Sequence, residues 1–210
     1  MVTSYELFAL VAAERLMPII RSDDRATAAA IGRTLIDAGY GVLEVSLTTP
    51  GALEVIAELS AHGSVQVGAG TVLTAQDAVA ARDAGSAFIV TPAVTPSIAA
   101  SVGLGLPVLA GALTPTEILS AIEAGATAVK LFPAELGGPG YFSALRAPFP
   151  DVPLIPVGGV TIETGRDYLA RGAVALGVGS PLTGRATDPL DLGLIAERAA
   201  AFRRMVTDAS

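Results

Sequence analysis

The chain has 210 residues, a net charge of −7, a single histidine and no cysteine, and 51% of its residues are hydrophobic. The missing cysteines exclude disulfides and thiolate metal sites, a lone histidine excludes a multi-histidine metal centre, and the acidic balance with no basic patch argues against nucleic acid. No apolar run approaches the ~20 residues of a membrane span, and short apolar runs broken by Gly, Pro and charge suit a soluble protein with a covered parallel sheet.

From the N-terminus, Met1 to Arg15 carries Glu6 and Glu14 among its apolar residues. It lacks a basic region and a small-residue cleavage site, so it does not read as a signal peptide. A short helix over about 3–14 is expected, then a strand over 16–20 and a helix over 25–38. The helix ends in Ile36-Asp37-Ala38-Gly39, and the apolar run Val42-Leu43-Glu44-Val45 follows. The same phrase returns as Arg82-Asp83-Ala84-Gly85, as Ile122-Glu123-Ala124-Gly125 and as Leu169-Ala170-Arg171-Gly172, each before an apolar strand. Glycine after a helix supplies the left-handed cap that turns the chain into the next strand.

Filling in the weaker copies places strands at 16–20, 42–46, 65–68, 87–90, 107–110, 128–132, 153–157 and 174–178. Helices are expected at 25–38, 50–61, 75–84, 95–102, 115–124, 139–146, 161–171 and 189–206. Alternation at a spacing of about 20 to 24 residues implies right-handed βαβ units, and eight of them close a barrel. The expectation is an α/β fold, a (β/α)8 TIM barrel, with no linker dividing residues 1–210 into more than one domain. An open doubly wound sheet is the competitor, but no GxGxxG follows the first strand.

Of the thirteen basic residues twelve are Arg, and the one Lys is Lys130, inside Ala128-Val129-Lys130-Leu131-Phe132-Pro133. A lysine in a central apolar strand loses solvation, which favours its neutral, nucleophilic form. The structural alternative is a lysine paired with a carboxylate or snorkelling to the rim. Glu44 likewise interrupts an apolar strand, as a proton shuttle or as a mere counter-charge. Together the two supply the nucleophile and the base that imine chemistry requires. Barrel enzymes gather active residues at the C-terminal strand ends. There Gly68-Ala69-Gly70-Thr71 offers backbone N–H groups and a hydroxyl for a carboxylate, with Arg21 as a candidate cation; a plain tight turn and a solvated Arg are the alternatives. Gly158 and Gly159 after strand seven, with Gly179 and Ser180 after strand eight, suit a phosphate, or are packing glycines. Phe132 and Pro92 are candidates for the pocket wall. His62 reads as a solvated helix cap and Glu135 as a loop charge.

These residues resemble the KDPG/KHG aldolase family, which cleaves 2-keto-3-deoxy-6-phosphogluconate or 4-hydroxy-2-oxoglutarate to pyruvate and an aldehyde. The resemblance is carried by Leu43-Glu44-Val45, Gly68-Ala69-Gly70-Thr71-Val72-Leu73, Ile89-Val90-Thr91-Pro92, Thr114-Pro115-Thr116-Glu117, Lys130-Leu131-Phe132-Pro133-Ala134-Glu135, Gly158-Gly159-Val160 and Gly177-Val178-Gly179-Ser180, in family order over roughly 15 to 205. It implies Lys130 as the Schiff-base lysine, Glu44 as acid/base, Thr71 in pyruvate binding, and phosphate on the glycines after strands seven and eight with Ser180. It also implies a cytoplasmic homotrimer acting on a small-molecule substrate, with no cofactor, metal, nucleic acid or membrane partner. Two departures bear on the sugar. Thr48 stands where many members acting on the gluconate-derived substrate carry Arg, and Arg21 stands where other members, including enzymes for the galactonate-derived sugar, carry theirs. Ala110-Gly111-Ala112-Leu113 replaces a frequent Pro-Gly-Ile-Ser. The competing functions are a phosphosugar isomerase, epimerase or synthase on a similar barrel, and a non-catalytic barrel binding a phosphorylated metabolite.

Overall fold

The computed structural model describes residues 2–185 and 190–208. Among the described residues eight strands run parallel: β1 Leu16–Ile20, β2 Val42–Ser46, β3 Gln66–Gly70, β4 Phe88–Val90, β5 Val108–Ala112, β6 Ala128–Leu131, β7 Leu154–Pro156 and β8 Leu176–Val178. Their order around the sheet is β7-β6-β5-β4-β3-β2-β1-β8. The remaining edge, β7 against β8, is closed by the single bridge Val157–Gly177 and the bond from Val174 N–H to the Leu154 carbonyl at 3.1 Å. The result is the expected (β/α)8 barrel, with its least hydrogen-bonded seam beside Gly158.

Ten α-helices are present among the described residues: α1 Ser4–Glu14, α2 Arg25–Asp37, α3 Ala52–Ser60, α4 Ala75–Asp83, α5 Ser97–Gly103, α6 Pro115–Glu123, α7 Gly138–Arg146, α8 Ile162–Ala170, α9 Ser180–Thr183 and α10 Leu192–Asp208. None is long and apolar enough to cross a membrane. Residue 189 of the last expected helix lies outside the described residues. The recurring glycines do what the sequence pattern implied. Gly39, Gly85, Gly125 and Gly172 all adopt φ near +90° directly after helices. At the other ends, Thr3, Thr74, Thr114 and Thr161 form capping boxes, each satisfying helix N–H groups that have no intrahelical acceptor.

The pleat sorts side chains by alternation. Leu43, Val45, Val129, Leu131, Leu176 and Val178 face the surrounding helices and form the larger core. Met17, Ile19, Val42, Phe88, Val90, Leu109, Ala128 and Ile155 fill the barrel interior. Leu7 and Val11 of α1 join this inner cluster, so α1 closes the end of the barrel where the strands begin. In β2 and β6 the inward positions that follow Val42 and Ala128 fall to Glu44 and Lys130. Their direction is fixed by the same alternation that places Val45 and Val129 outside.

Candidate active site

Glu44 and Lys130 meet inside the barrel. Lys130 Nζ lies 3.6 Å from Glu44 Oε1, and their side chains are 7% and 1% exposed. The second carboxylate oxygen, Glu44 Oε2, is buried and makes no hydrogen bond to any described residue. The Lys130 ammonium position also lies 5.2 Å from the centre of the Phe132 ring. A single contact with one carboxylate oxygen does not use the hydrogen-bonding capacity of either group, in a place where unused capacity is costly. A buried ionisable pair beside a cavity is a candidate for chemistry.

Space for Glu44 comes from Gly70. A β-carbon at that position would sit against the Glu44 carboxylate, so glycine is the residue that lets this side chain lie across β3. Gly70, which the sequence pattern offered as a point of ligand approach, lies against the Glu44 side chain and is not among the residues bordering the cavity above the pair. Gly111, paired with Lys130 across β5 and β6, does a similar service on the other side. A β-carbon there would collide with the Pro92 backbone. Its absence lets the turn Thr91-Pro92-Ala93 fold over the barrel mouth. That turn is pinned by Thr91 Oγ1, which accepts from Gly111 N–H at 3.1 Å and donates to the Ala93 carbonyl at 2.7 Å.

Above the pair opens a cavity of about 470 Å³. Lys130 lies on its floor, and Phe132, Pro92 and Thr71 border it. Thr71 follows β3 with φ +61°, a left-handed conformation that is a true outlier for a β-branched residue. Such a conformation stores roughly 1–3 kcal/mol and persists only where the surroundings impose it. Here the ladder imposes it from both sides: Leu47 N–H donates to the Gly70 carbonyl at 2.8 Å, and Val72 N–H to the Val90 carbonyl at 3.2 Å.

On the side of the seam the cavity is bordered by Gly158, Gly159, Gly179 and Ser180. Gly158 and Gly159 adopt φ +99° and +68°. The carbonyls of Val157 and Gly158 accept from Ala134 and Glu135, in the short 3₁₀ turn Ala134–Leu136. Since N–H and C=O of a trans peptide point in opposite directions, the N–H groups of Gly158 and Gly159 turn away from that turn. The carbonyls of Gly179 and Ser180 start α9, accepting from Leu182 and Gly184, and the N–H groups that open such a turn have no acceptor within it. Four backbone donors on two facing loops can grip an oxyanion.

Arg21 borders the same cavity, in the loop after β1. That loop is tied to the one after β2 by Ser22 N–H, which donates to the buried Thr49 hydroxyl at 3.1 Å. Sequence reasoning missed Arg185, Thr183 and Ile19, which also line the cavity. Ile19 reads only as core, and Arg185 sits behind α9, whose four residues leave no periodic signal. His62 and Glu135 lie off the wall. Glu135 packs instead over Gly159.

The "KDPG and KHG aldolase" family profile matches residues 9–191. The chain belongs to the KDPG/KHG aldolase family. A 2-dehydro-3-deoxy-6-phosphogalactonate aldolase of Escherichia coli is 37% identical over 198 residues, covering 92% of this chain and 95% of that protein. A solved structure described as native KDPGal aligns with a TM-score of 0.86 at 36% identity, over 92% of this chain and 95% of its own. A KDPG aldolase from Legionella pneumophila, solved with pyruvate captured as a covalent carbinolamine, aligns with a TM-score of 0.78 at 25% identity over 97% of both chains. Membership of the KDPG/KHG aldolases makes this protein a pyruvate-dependent aldolase, a carbon–carbon lyase.

Proposed function

We propose that this protein reversibly cleaves a 2-keto-3-deoxy-6-phospho sugar acid to pyruvate and glyceraldehyde 3-phosphate, through a Schiff base on Lys130. The observation that carries the reading is the buried Lys130–Glu44 pair, with Lys130 bordering the cavity and one Glu44 carboxylate oxygen unused.

The neutral amine of Lys130 adds to the C2 ketone and gives a carbinolamine. Glu44 hands a proton to the departing hydroxyl, water leaves, and an iminium forms. As the C4 hydroxyl gives up its proton, the C3–C4 bond breaks and its electron pair moves onto the iminium nitrogen. The aldehyde departs and an enamine remains. A proton returned to C3 regenerates an iminium, and water hydrolyses it to pyruvate and the free amine. Glu44 is the acid/base group within reach of the nitrogen at each proton transfer. Thr71 and Arg21 hold the C1 carboxylate, and the N–H groups of Gly158, Gly159, Gly179 and Ser180 hold the phosphate. The presence of Arg21, with Thr48 after β2, supports the galactonate-derived sugar over the gluconate-derived one. The reading includes a cytoplasmic homotrimer, which rests on the resemblance to the family; in a trimer a neighbouring copy could cover exposed apolar side chains such as Leu119 and Leu136, 50% and 71% accessible.

Borohydride reduction in the presence of pyruvate, followed by intact and peptide mass spectrometry, tests the chemistry. The expected result is one reduced pyruvate adduct, on Lys130. Folded protein without an adduct would overturn the imine mechanism and turn attention to non-covalent barrel enzymes.

A further inference from the structure

A short line of hydroxyls runs from the cavity wall to the surface. Thr71 Oγ1 lies 2.9 Å from Ser46 Oγ, and Ser46 Oγ lies 2.8 Å from Thr48 Oγ1. Ser46 is fully buried, Thr71 borders the cavity and Thr48 is exposed. Ser46 is the next inward position of β2 after Glu44, at the top of the strand. The kink at Thr71, fixed by ladder bonds on both sides, sets this residue at the cavity wall with its hydroxyl against Ser46.

We propose that Ser46 is a positioning residue for substrate binding, holding a one-way hydrogen-bond chain from Thr48 through Ser46 to Thr71 that aims the Thr71 proton at the carboxylate of the keto acid. This rests on the reading of Thr71 as a carboxylate ligand. The direction follows from counting protons. Each hydroxyl has one hydrogen to donate and lone pairs with which to accept. A carboxylate only accepts, so the Thr71 hydrogen goes to the substrate. The 2.9 Å contact is then a bond in which Thr71 accepts and Ser46 donates. The single hydrogen of Ser46 is thereby used, so its 2.8 Å contact is one in which Thr48 donates. Each donor in such a chain polarises the next, which strengthens the last hydroxyl as a donor to an anion. The opposite orientation would turn the lone pairs of Thr71 toward the carboxylate and weaken binding. Ser46 is the donor that holds Thr71 in the binding orientation.

The test is the pyruvate concentration dependence of borohydride trapping on Lys130, in the wild type and in variants of the chain. Thr71→Val removes the direct donor and should raise the half-saturating pyruvate concentration about 10- to 100-fold, the range for a hydrogen bond to a charged group. Ser46→Ala should raise it about 5- to 10-fold, since it removes a neutral link. Thr48→Val should raise it about 2- to 3-fold, because water can replace an exposed donor, and Thr48→Ser should restore it. The maximal trapping rate should move far less than the half-saturating concentration. A small ketone without a carboxylate should be trapped equally by the wild type and by Ser46→Ala. A Thr71→Val effect without a Ser46→Ala effect would overturn the chain and leave Thr71 as a ligand. No effect of Thr71→Val would remove the carboxylate reading and the proposal with it. A loss of maximal rate alone in Ser46→Ala would also overturn it, as would equal losses with pyruvate and with the plain ketone.

Discussion

The two ends of the barrel are built from the same strands by opposite rules. Toward the end where strands begin, the inward positions are Met17, Val42, Phe88, Leu109 and Ala128, sealed by Leu7 and Val11 of α1. Toward the other end, they include Glu44, Ser46, Gly70, Gly111 and Lys130, set beside the apolar Ile19, Val90 and Val157. Residues two apart on one strand therefore serve different purposes. Val42 adds to the interior by burying carbon, whereas Glu44 is held in a place where its charge is costly. The closed end supplies the stability that lets the open end keep a buried ion pair, a strained threonine and a cavity. This division is general to such barrels, with chemistry at the C-terminal strand ends and packing at the other. Here it can be tested one residue at a time.

The sharpest break should come at the floor of the open end. Lys130→Met should lower turnover by roughly 10⁴-fold or more, as loss of a nucleophile does in other enzymes. It should also cost about 3 kcal/mol of stability, because Glu44 is left buried without its partner. Adding Glu44→Gln should return most of that stability without returning any activity. Activity assays and urea unfolding of the two variants check this together. If the single variant were as stable as the wild type, the pair would not be in tension, and the contrast between the ends would lose its energetic basis.

The two inward glycines of β3 sharpen the comparison further. A methyl group at Gly70 meets the Glu44 carboxylate, and one at Gly68 meets the Phe88 ring. Gly70→Ala should therefore displace the base, with a loss of kcat of about 100-fold, the scale of a 1 Å misplacement. Gly68→Ala should instead overpack the closed end, lowering stability by about 2 kcal/mol while kcat per folded molecule stays near that of the wild type. Equal effects on rate would show that the two layers are not separable.

Those glycines also mark where the sequence was hard to read. The pattern places β3 at 65–68 and β5 at 107–110, yet the strands extend to Gly70 and Ala112. The residues beyond those limits are glycine and alanine, which are depleted in strands and give no strand signal. Their smallness has a tertiary cause: the space is taken by Glu44 and by the turn at Pro92. By contrast, β1 and β2 fall within their expected limits, because Leu16–Ile20 and the alternation around Glu44 are apolar enough to declare themselves. The lysine and glutamate were legible because charge in an apolar strand is conspicuous in any context. The role proposed for Ser46 was not, since a serine at a strand end gives no sign of function until its neighbours in space are known. For the same reason α9 and the 3₁₀ turn at Ala134–Leu136 went unseen: three or four residues hold no period.

The smallest effect belongs to the closed end and concerns Tyr40. Its ring is buried, Arg203 stacks 4.4 Å from the ring centre, and its hydroxyl donates to the Ala199 carbonyl of α10 at 2.9 Å. Arg203 in turn bonds Glu14 of α1 and the Gly39 carbonyl, tying both terminal helices to this end of the barrel. Burial pushes the phenol well above its ordinary value of 10; Glu14 adds to the shift and Arg203 opposes it. The folded state therefore keeps the Tyr40 proton where the unfolded chain releases it. The stabilising contribution is fully present below pH 10 and falls as pH rises beyond it, by up to about 1.4 kcal/mol per pH unit. Tyr40→Phe should cost about 1 kcal/mol at pH 7 through the lost hydrogen bond, and should flatten the alkaline decline. Some slope remains, because burial raises Tyr168 as well. Urea unfolding of both proteins between pH 7 and 11 would show the two stability curves converging above pH 10, with kcat at pH 7 unaltered. Curves that stay parallel would mean that Tyr40 ionises as readily in the folded protein as outside it, and that the closed end is looser than its packing indicates.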